Sequence, residues 1–127
     1  MCKTQKFYIC EHCQNLVGLI DDRGVPLLCC GSKMTQLLAN TVEASAEKHL
    51  PAAHFEGQTL VVEVGSTHHP MTQEHHISFV YVESEAGGQR KCLALDQAPV
   101  AKFTFIEDKP RAVYAYCNLH GMWKIEV

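Results

Sequence analysis

Tyr116-Cys117-Asn118-Leu119-His120-Gly121-Met122-Trp123 sets a thiol and an imidazole at a bend between two apolar runs. Before the bend, Ala112 to Tyr116 reads as a strand. After it, Met122 to Val127 does too, with Trp123, Ile125 and Val127 on one face, since side chains alternate across an extended chain. Upstream the same pattern repeats. Leu60, Val62 and Val64 share a face of Thr59–Val64. Ile77, Phe79 and Tyr81 alternate along Ile77–Val82, and Leu93 and Leu95 along Lys91–Leu95. Phe103 and Phe105 fall on one side of Ala101–Ile106. Glu83 to Gln89, with Gly87-Gly88, reads as a hairpin connection, and Asp96-Gln97-Ala98-Pro99 and Glu107-Asp108-Lys109-Pro110 as turns. Short strands at this spacing predict an antiparallel sandwich or barrel, because each half-buried strand needs a second sheet over its apolar face.

The first part of the chain differs. Residues 1–38 hold five of the seven cysteines and three short strand-like runs, Phe7–Ile9, Leu16–Ile20 and Met34–Leu38. So small a unit buries little surface and needs a staple. Residues 39–48 read as a link into the second part, residues 49–127, either as one or two helical turns or as an extended tie. Pro51 argues against a helix continuing past His49 or Leu50.

With 127 residues and 46% hydrophobic composition, the chain can build a real core. A net charge of -3 gives no electrostatic footprint for a nucleic-acid partner. The apolar runs are too short to span a membrane. Glu11 and the early lysines interrupt any signal-peptide core, so the expected compartment is the reducing cytoplasm, where thiols stay free for metal.

Cys10-x-x-Cys13 with Cys29-Cys30 offers four thiolates, a set that binds zinc or iron tetrahedrally and supplies the folding energy such a segment lacks. The adjacent pair must splay to reach one ion, which predicts a distorted tetrahedron. Gly31 suits a positive φ. Cys2 is expected not to be a ligand. Cys117 and His120 can be joined by His49, His69 and His75. Five donors exceed the usual zinc complement and leave an octahedral ion one open position. His54, His68 and His76 read as ordinary surface or hydrogen-bonded histidines, and Cys92 as a small buried hydrophobe. The donor types alone leave zinc and iron both open. Rival readings are a pure electron carrier, a metal-stapled binding module and a zinc hydrolase.

Four segments carry a resemblance that covers nearly the whole chain: Cys10-x-x-Cys13 with Cys29-Cys30; Glu47-Lys48-His49-Leu50-Pro51; Gly65-Ser66-Thr67-His68-His69-Pro70-Met71-Thr72-Gln73-Glu74-His75; and Tyr116 to Lys124. Together they resemble desulfoferrodoxin, a two-iron superoxide reductase with an added desulforedoxin-like domain. The resemblance implies a mainly β protein, with a small metal-stapled desulforedoxin-like domain followed by an immunoglobulin-like seven-stranded antiparallel sandwich, assembled as a homodimer. It implies two mononuclear iron sites, the first on Cys10, Cys13, Cys29 and Cys30. The second would take His49, His69, His75 and His120 in a plane with Cys117 axial.

The implied reaction is one-electron reduction of superoxide to hydrogen peroxide without release of oxygen, with electrons from a rubredoxin-like donor. Lys48 would attract the anion, and Glu47 would bind the oxidised iron after product leaves. The backbone N–H groups of Leu119 and His120 would tune the cysteine sulfur. His68 and His76 depart from the expected pattern and are placed to compete for iron by register slip. Pro70 and the strand start at Ile77 are expected to hold the usual choice.

Overall fold

The structure is a computed structural model describing residues 3–127, so Cys2 lies outside the described residues. The chain divides into two compact units with the boundary between Leu38 and Ala39. Among the described residues no helix is long and apolar enough to cross a membrane.

In the first unit, β1 (Lys6–Ile9) is the middle strand of a three-stranded antiparallel sheet, flanked by β2 (Leu16–Leu19) and β5 (Thr35–Gln36). A separate two-stranded hairpin pairs β3 (Leu28–Cys29) with β4 (Ser32–Lys33). Among the described residues of this unit, the buried hydrophobic ones are Phe7, Ile9 and Cys10, whereas Ile20, Val25 and Leu28 are exposed. The ion pairs Lys3–Asp21, Lys6–Asp22 and Arg23–Asp21 lie at the surface, where solvent screens them and they add little. Neither core nor charge accounts for the order of so short a sheet.

The second unit begins by stitching Asn40 to the last strand. Its side chain donates to Lys124 O at 3.0 Å and accepts from Lys124 N at 2.9 Å, so residues 39–48 cluster with this unit. One helical turn, α1 (Ala46–His49), follows. It stops where Leu50, preceding Pro51, turns extended (φ -67, ψ 126), as the pre-proline position requires.

Seven strands come next: β6 (Pro51–Glu56), β7 (Thr59–Val64), β8 (Ile77–Ser84), β9 (Gly87–Cys92), β10 (Val100–Thr104), β11 (Pro110–Cys117) and β12 (Gly121–Glu126). They form two antiparallel sheets, ordered β10-β7-β6 and β12-β11-β8-β9. The core lies between them. Leu60, Val62 and Val64 with Ala101 and Phe103 come from one sheet, and Ile77, Val80, Val82, Val113, Ala115 and Cys117 from the other. Each large side chain buried there contributes roughly 1.5–3 kcal/mol. This is the seven-stranded sandwich expected, with the chain crossing between sheets in the long loop 65–76.

Three local readings are corrected. Ile77, Phe79 and Tyr81 do not share a face. The register slips between Tyr116 and Cys117, a bulge that changes the parity of β8, so Ile77, Val80 and Val82 enter the core. Phe79 and Tyr81 lie on the other face, where Phe79 stacks on Tyr116 and Tyr81 meets Tyr114. The hairpin turn is Glu85-Ala86, and Gly87-Gly88 already belongs to β9. A Cβ on Gly88 would collide with the Tyr81 hydroxyl, so Gly88 makes room for a ring across the strand, whereas Gly87 supplies the positive φ (147) at the end of the turn. Cys92 is exposed rather than buried: it ends edge strand β9, and Arg90 Nη1 donates to its sulfur at 3.1 Å.

Candidate metal centres

In the first unit, Cys10, Cys13, Cys29 and Cys30 bring their four sulfurs within 4.8 Å of one another. Cys10 and Cys13 sit in the turn after β1, closed by Cys10 N–Asn15 O and Gln14 N–Cys10 O bonds, both 2.9 Å. Cys29 and Cys30 turn the β3–β4 hairpin. Neighbours on a strand point to opposite faces, but Cys30 (φ 51) and Gly31 (φ 76) are both left-handed, which swings the second thiol back beside the first. Cys13 Sγ and Cys29 Sγ are 3.6 Å apart. That is far beyond a disulfide bond. It is close to the roughly 3.8 Å that separates two sulfurs on a tetrahedral ion with ~2.3 Å bonds.

The thiols feel one another. The backbone N–H of Cys13, above all, draws Cys10 down to about 6, while hydrogen bonding with Cys13 and then Cys10 pushes Cys30 up to about 12. Four thiolates so close need a cation between them, and the donor set fits a four-sulfur metal.

In the second unit the donors gather at one end of the sandwich. His49 comes from α1, His69 and His75 from the loop between β7 and β8, and Cys117 and His120 from the β11–β12 bend. His49 Nδ1–H donates to Ser45 O at 2.6 Å and His69 Nδ1–H to Pro70 O at 2.7 Å. A carbonyl only accepts, so each bond places the proton on Nδ1 and leaves the Nε2 lone pair facing inward.

The four rings follow one another round a quadrilateral. Centroids are 4.6 Å apart from His49 to His69, 4.5 Å to His75, 5.0 Å to His120 and 4.8 Å back to His49, with a 6.2 Å diagonal between His49 and His75. His49 Nε2 is 3.2 Å from His69 Nε2 and 3.0 Å from His120 Nδ1. Two metal–nitrogen bonds of ~2.1 Å span about 3.0 Å at a right angle and about 3.4 Å at a tetrahedral one, so these spacings favour right angles. His75 Nε2 is buried and has no hydrogen-bond partner, as expected of a nitrogen whose partner is an ion.

The Cys117 sulfur lies within 4.8 Å of the donor atoms of His49, His69 and His75, and 3.8 Å from His120 Nδ1. Burial raises its thiol, opposed by the N–H groups of Leu119 and His120, both of which donate to the sulfur. Burial likewise lowers His49 and His75, and brings His69 to about 4, so these rings are neutral donors at pH 7. Three neutral imidazoles and one sulfur within 4.8 Å of one another, with the His120 ring beside them, fit a bound metal ion.

The remaining candidates stand apart. Lys48 is exposed, with its charge felt at His49 and His75. Glu47 Oε1 accepts from Thr67 Oγ1 at 2.8 Å. His68 pairs with Glu63 at 2.9 Å, His54 lies 3.8 Å from Glu56, and His76 Nδ1 bonds Thr72 O, so none of the three joins the cluster. Gly65 (φ +87) lets the histidine loop lie against α1: an added Cβ would stand 2.6 Å from Lys48 O and collide with Thr67 O.

Asn118, to which the sequence assigns no role, bridges two of the donor segments. Its amide donates to Glu74 O at 2.9 Å and accepts from His76 N at 2.8 Å, tying the His75 loop to the Cys117 bend. Its position next to Cys117 was the available signal.

The Desulfoferrodoxin family model matches residues 41–126. Desulfoferrodoxin from Syntrophotalea carbinolica is 36% identical over 126 residues, covering 99% of each chain. A superoxide reductase from Pyrococcus abyssi is 34% identical over 112 residues, 72% of this chain and 97% of that one. The crystal structure of the superoxide reductase from Treponema pallidum superposes with a TM-score of 0.81 at 33% identity, covering 97% of this chain and 99% of that chain. The four-sulfur group of the first unit, and the His49, His69, His75 and Cys117 group with His120 beside it in the second, are consistent with two iron centres, and with these likenesses running through both units the chain belongs to the desulfoferrodoxin family.

Proposed function

We propose that this chain is a superoxide reductase: superoxide, one electron and two protons give hydrogen peroxide, with no oxygen released. One observation carries the reading. Four mutually tilted imidazoles with inward lone pairs surround a point beside a buried cysteine sulfur. Iron bound by His49, His69, His75, His120 and Cys117 would supply the electron for superoxide.

The chain's own groups shape the rest. Neutral imidazoles favour the reduced state of an ion, whereas the anionic thiolate of Cys117 adds electron density. The Leu119 and His120 N–H groups temper that donation. Lys48, exposed beside the ring cluster, draws the anion in. Glu47, whose carboxylate accepts from Thr67 Oγ1, would be the group that closes the oxidised site after product departs. Water near Lys48 delivers the protons. The first site, on Cys10, Cys13, Cys29 and Cys30, stores an electron or stabilises the assembly. A homodimer in the cytoplasm, fed by a rubredoxin-like donor, completes the proposal.

The test is stoichiometric. Reduced, iron-loaded protein mixed with superoxide under anaerobic conditions should yield one hydrogen peroxide per superoxide and no oxygen. Oxygen evolution, or a purified protein holding zinc in the histidine site, would end the reading. Lys48→Ile should lower the second-order rate about 10-fold at low salt and flatten its salt dependence, as loss of a steering charge does. An unchanged low-salt rate removes Lys48 from the mechanism.

A further inference from the structure

The indole of Trp123 touches two of the ring-bearing residues at once. Its face lies along the His49 imidazole, centroids 5.0 Å apart and planes 27° from parallel. Its Nε1–H donates to His120 O at 3.1 Å. His49 arrives on α1 and His120 on the β11–β12 bend, so the two are distant in sequence. Trp123 itself is held in register opposite Ala115 and is only 4% exposed.

His120 needs such help more than His49 and His69 do. His49 and His69 each have the ring nitrogen away from the centre pinned to a carbonyl. His120 instead turns Nδ1 inward, toward His49 Nε2 and Cys117 Sγ. Nδ1 lies one bond nearer the backbone than Nε2, so its place follows the main chain closely. The indole bond to the His120 carbonyl fixes that main chain, and the same rigid ring limits the tilt of His49. A buried indole N–H also requires a partner, so the bond is not readily exchanged.

We propose that Trp123 is a positioning residue that holds the His49 and His120 donors as one unit. The proposal rests on the reading of both histidines as ligands of a single iron. It predicts that removing only the indole donor loosens the site without loosening the fold.

Trp123 is the chain's single tryptophan, so metabolic replacement by benzothienylalanine changes this position alone. That analogue keeps the ring and the stacking and lacks the N–H. Iron affinity at the histidine site, measured by chelator competition, should fall about 10-fold. The part of the thiolate-to-ferric absorption that Cys117→Ser removes should shift. The thermal midpoint of the metal-free protein should stay within a few degrees. Trp123→Leu, which also loses the stacking, should weaken iron about 100-fold. Unaltered affinity and absorption in the analogue protein overturn the role of Trp123. An unmodified protein with no absorption that depends on Cys117 overturns the parent reading, and this inference with it.

Discussion

Cys117→Ser should remove the visible thiolate-to-ferric absorption of the histidine site and lower superoxide turnover by more than about 100-fold. The magnitude follows from position: changes one shell further out already cost 10–100-fold in metal affinity or activity. A serine hydroxyl is a far weaker anion than a thiolate, so an ion there would lose the donor that pushes electrons toward superoxide. Cys117 is also fully buried in the core, and a hydroxyl without a partner in that setting costs about 1–3 kcal/mol. The thermal midpoint of the metal-free variant therefore belongs beside the rate. Lost absorption and rate in a folded protein support the assignment, whereas retention of both would mean that another group supplies the sulfur-like band.

Cys13→Ser should have the opposite distribution. The first unit has Phe7, Ile9 and Cys10 as its buried hydrophobic residues and relies on surface ion pairs otherwise. A structural four-sulfur metal contributes about 10–16 kcal/mol of apparent folding energy in small domains, far above any other contribution visible in this unit. Removing one sulfur should expel the metal and unfold residues 3–38. The sandwich, with its own core between two sheets, should stay folded and keep its rate with superoxide supplied to pre-reduced protein. Iron analysis, protease susceptibility of the first unit and single-turnover kinetics together check this. A collapse of superoxide reduction in the variant would make the small unit obligatory for the chemistry.

Most of the architecture was legible because it rests on side-chain alternation. Leu60, Val62 and Val64 were read as one inward face and are fully or nearly fully buried. The reading of β8 failed because one inserted residue near Cys117 shifts the parity, and no side chain announces a bulge. Gly87-Gly88 looked like a turn because glycine usually is one, but both lie in β9, and the missing side chain of Gly88 makes room for Tyr81. Cys92 was placed inside by its residue type, while its edge strand left it in solvent. At the sites, the cysteine and histidine spacings pointed to convergence, which the geometry displays. The anchors did not: Ser45 and Pro70 act through backbone carbonyls, which every residue possesses, so their identity carried no message.

The five converging side chains occupy one end of the sandwich, where β6 begins at Pro51 and β11 gives way to the bend at Cys117. They come from three segments far apart in sequence, so a single ion gripping them acts as a clasp closing long loops, whose entropy cost rises only slowly with length. The opposite end, around Phe55, Ile106 and Pro110, has no such fastening and leaves Phe55 and Ile106 exposed. Chelation would thus fasten one rim of the two-sheet sandwich, and the amide hydrogens around Phe55 and Ile106, at the unfastened rim, are expected to exchange with solvent before those around Pro51 and Cys117.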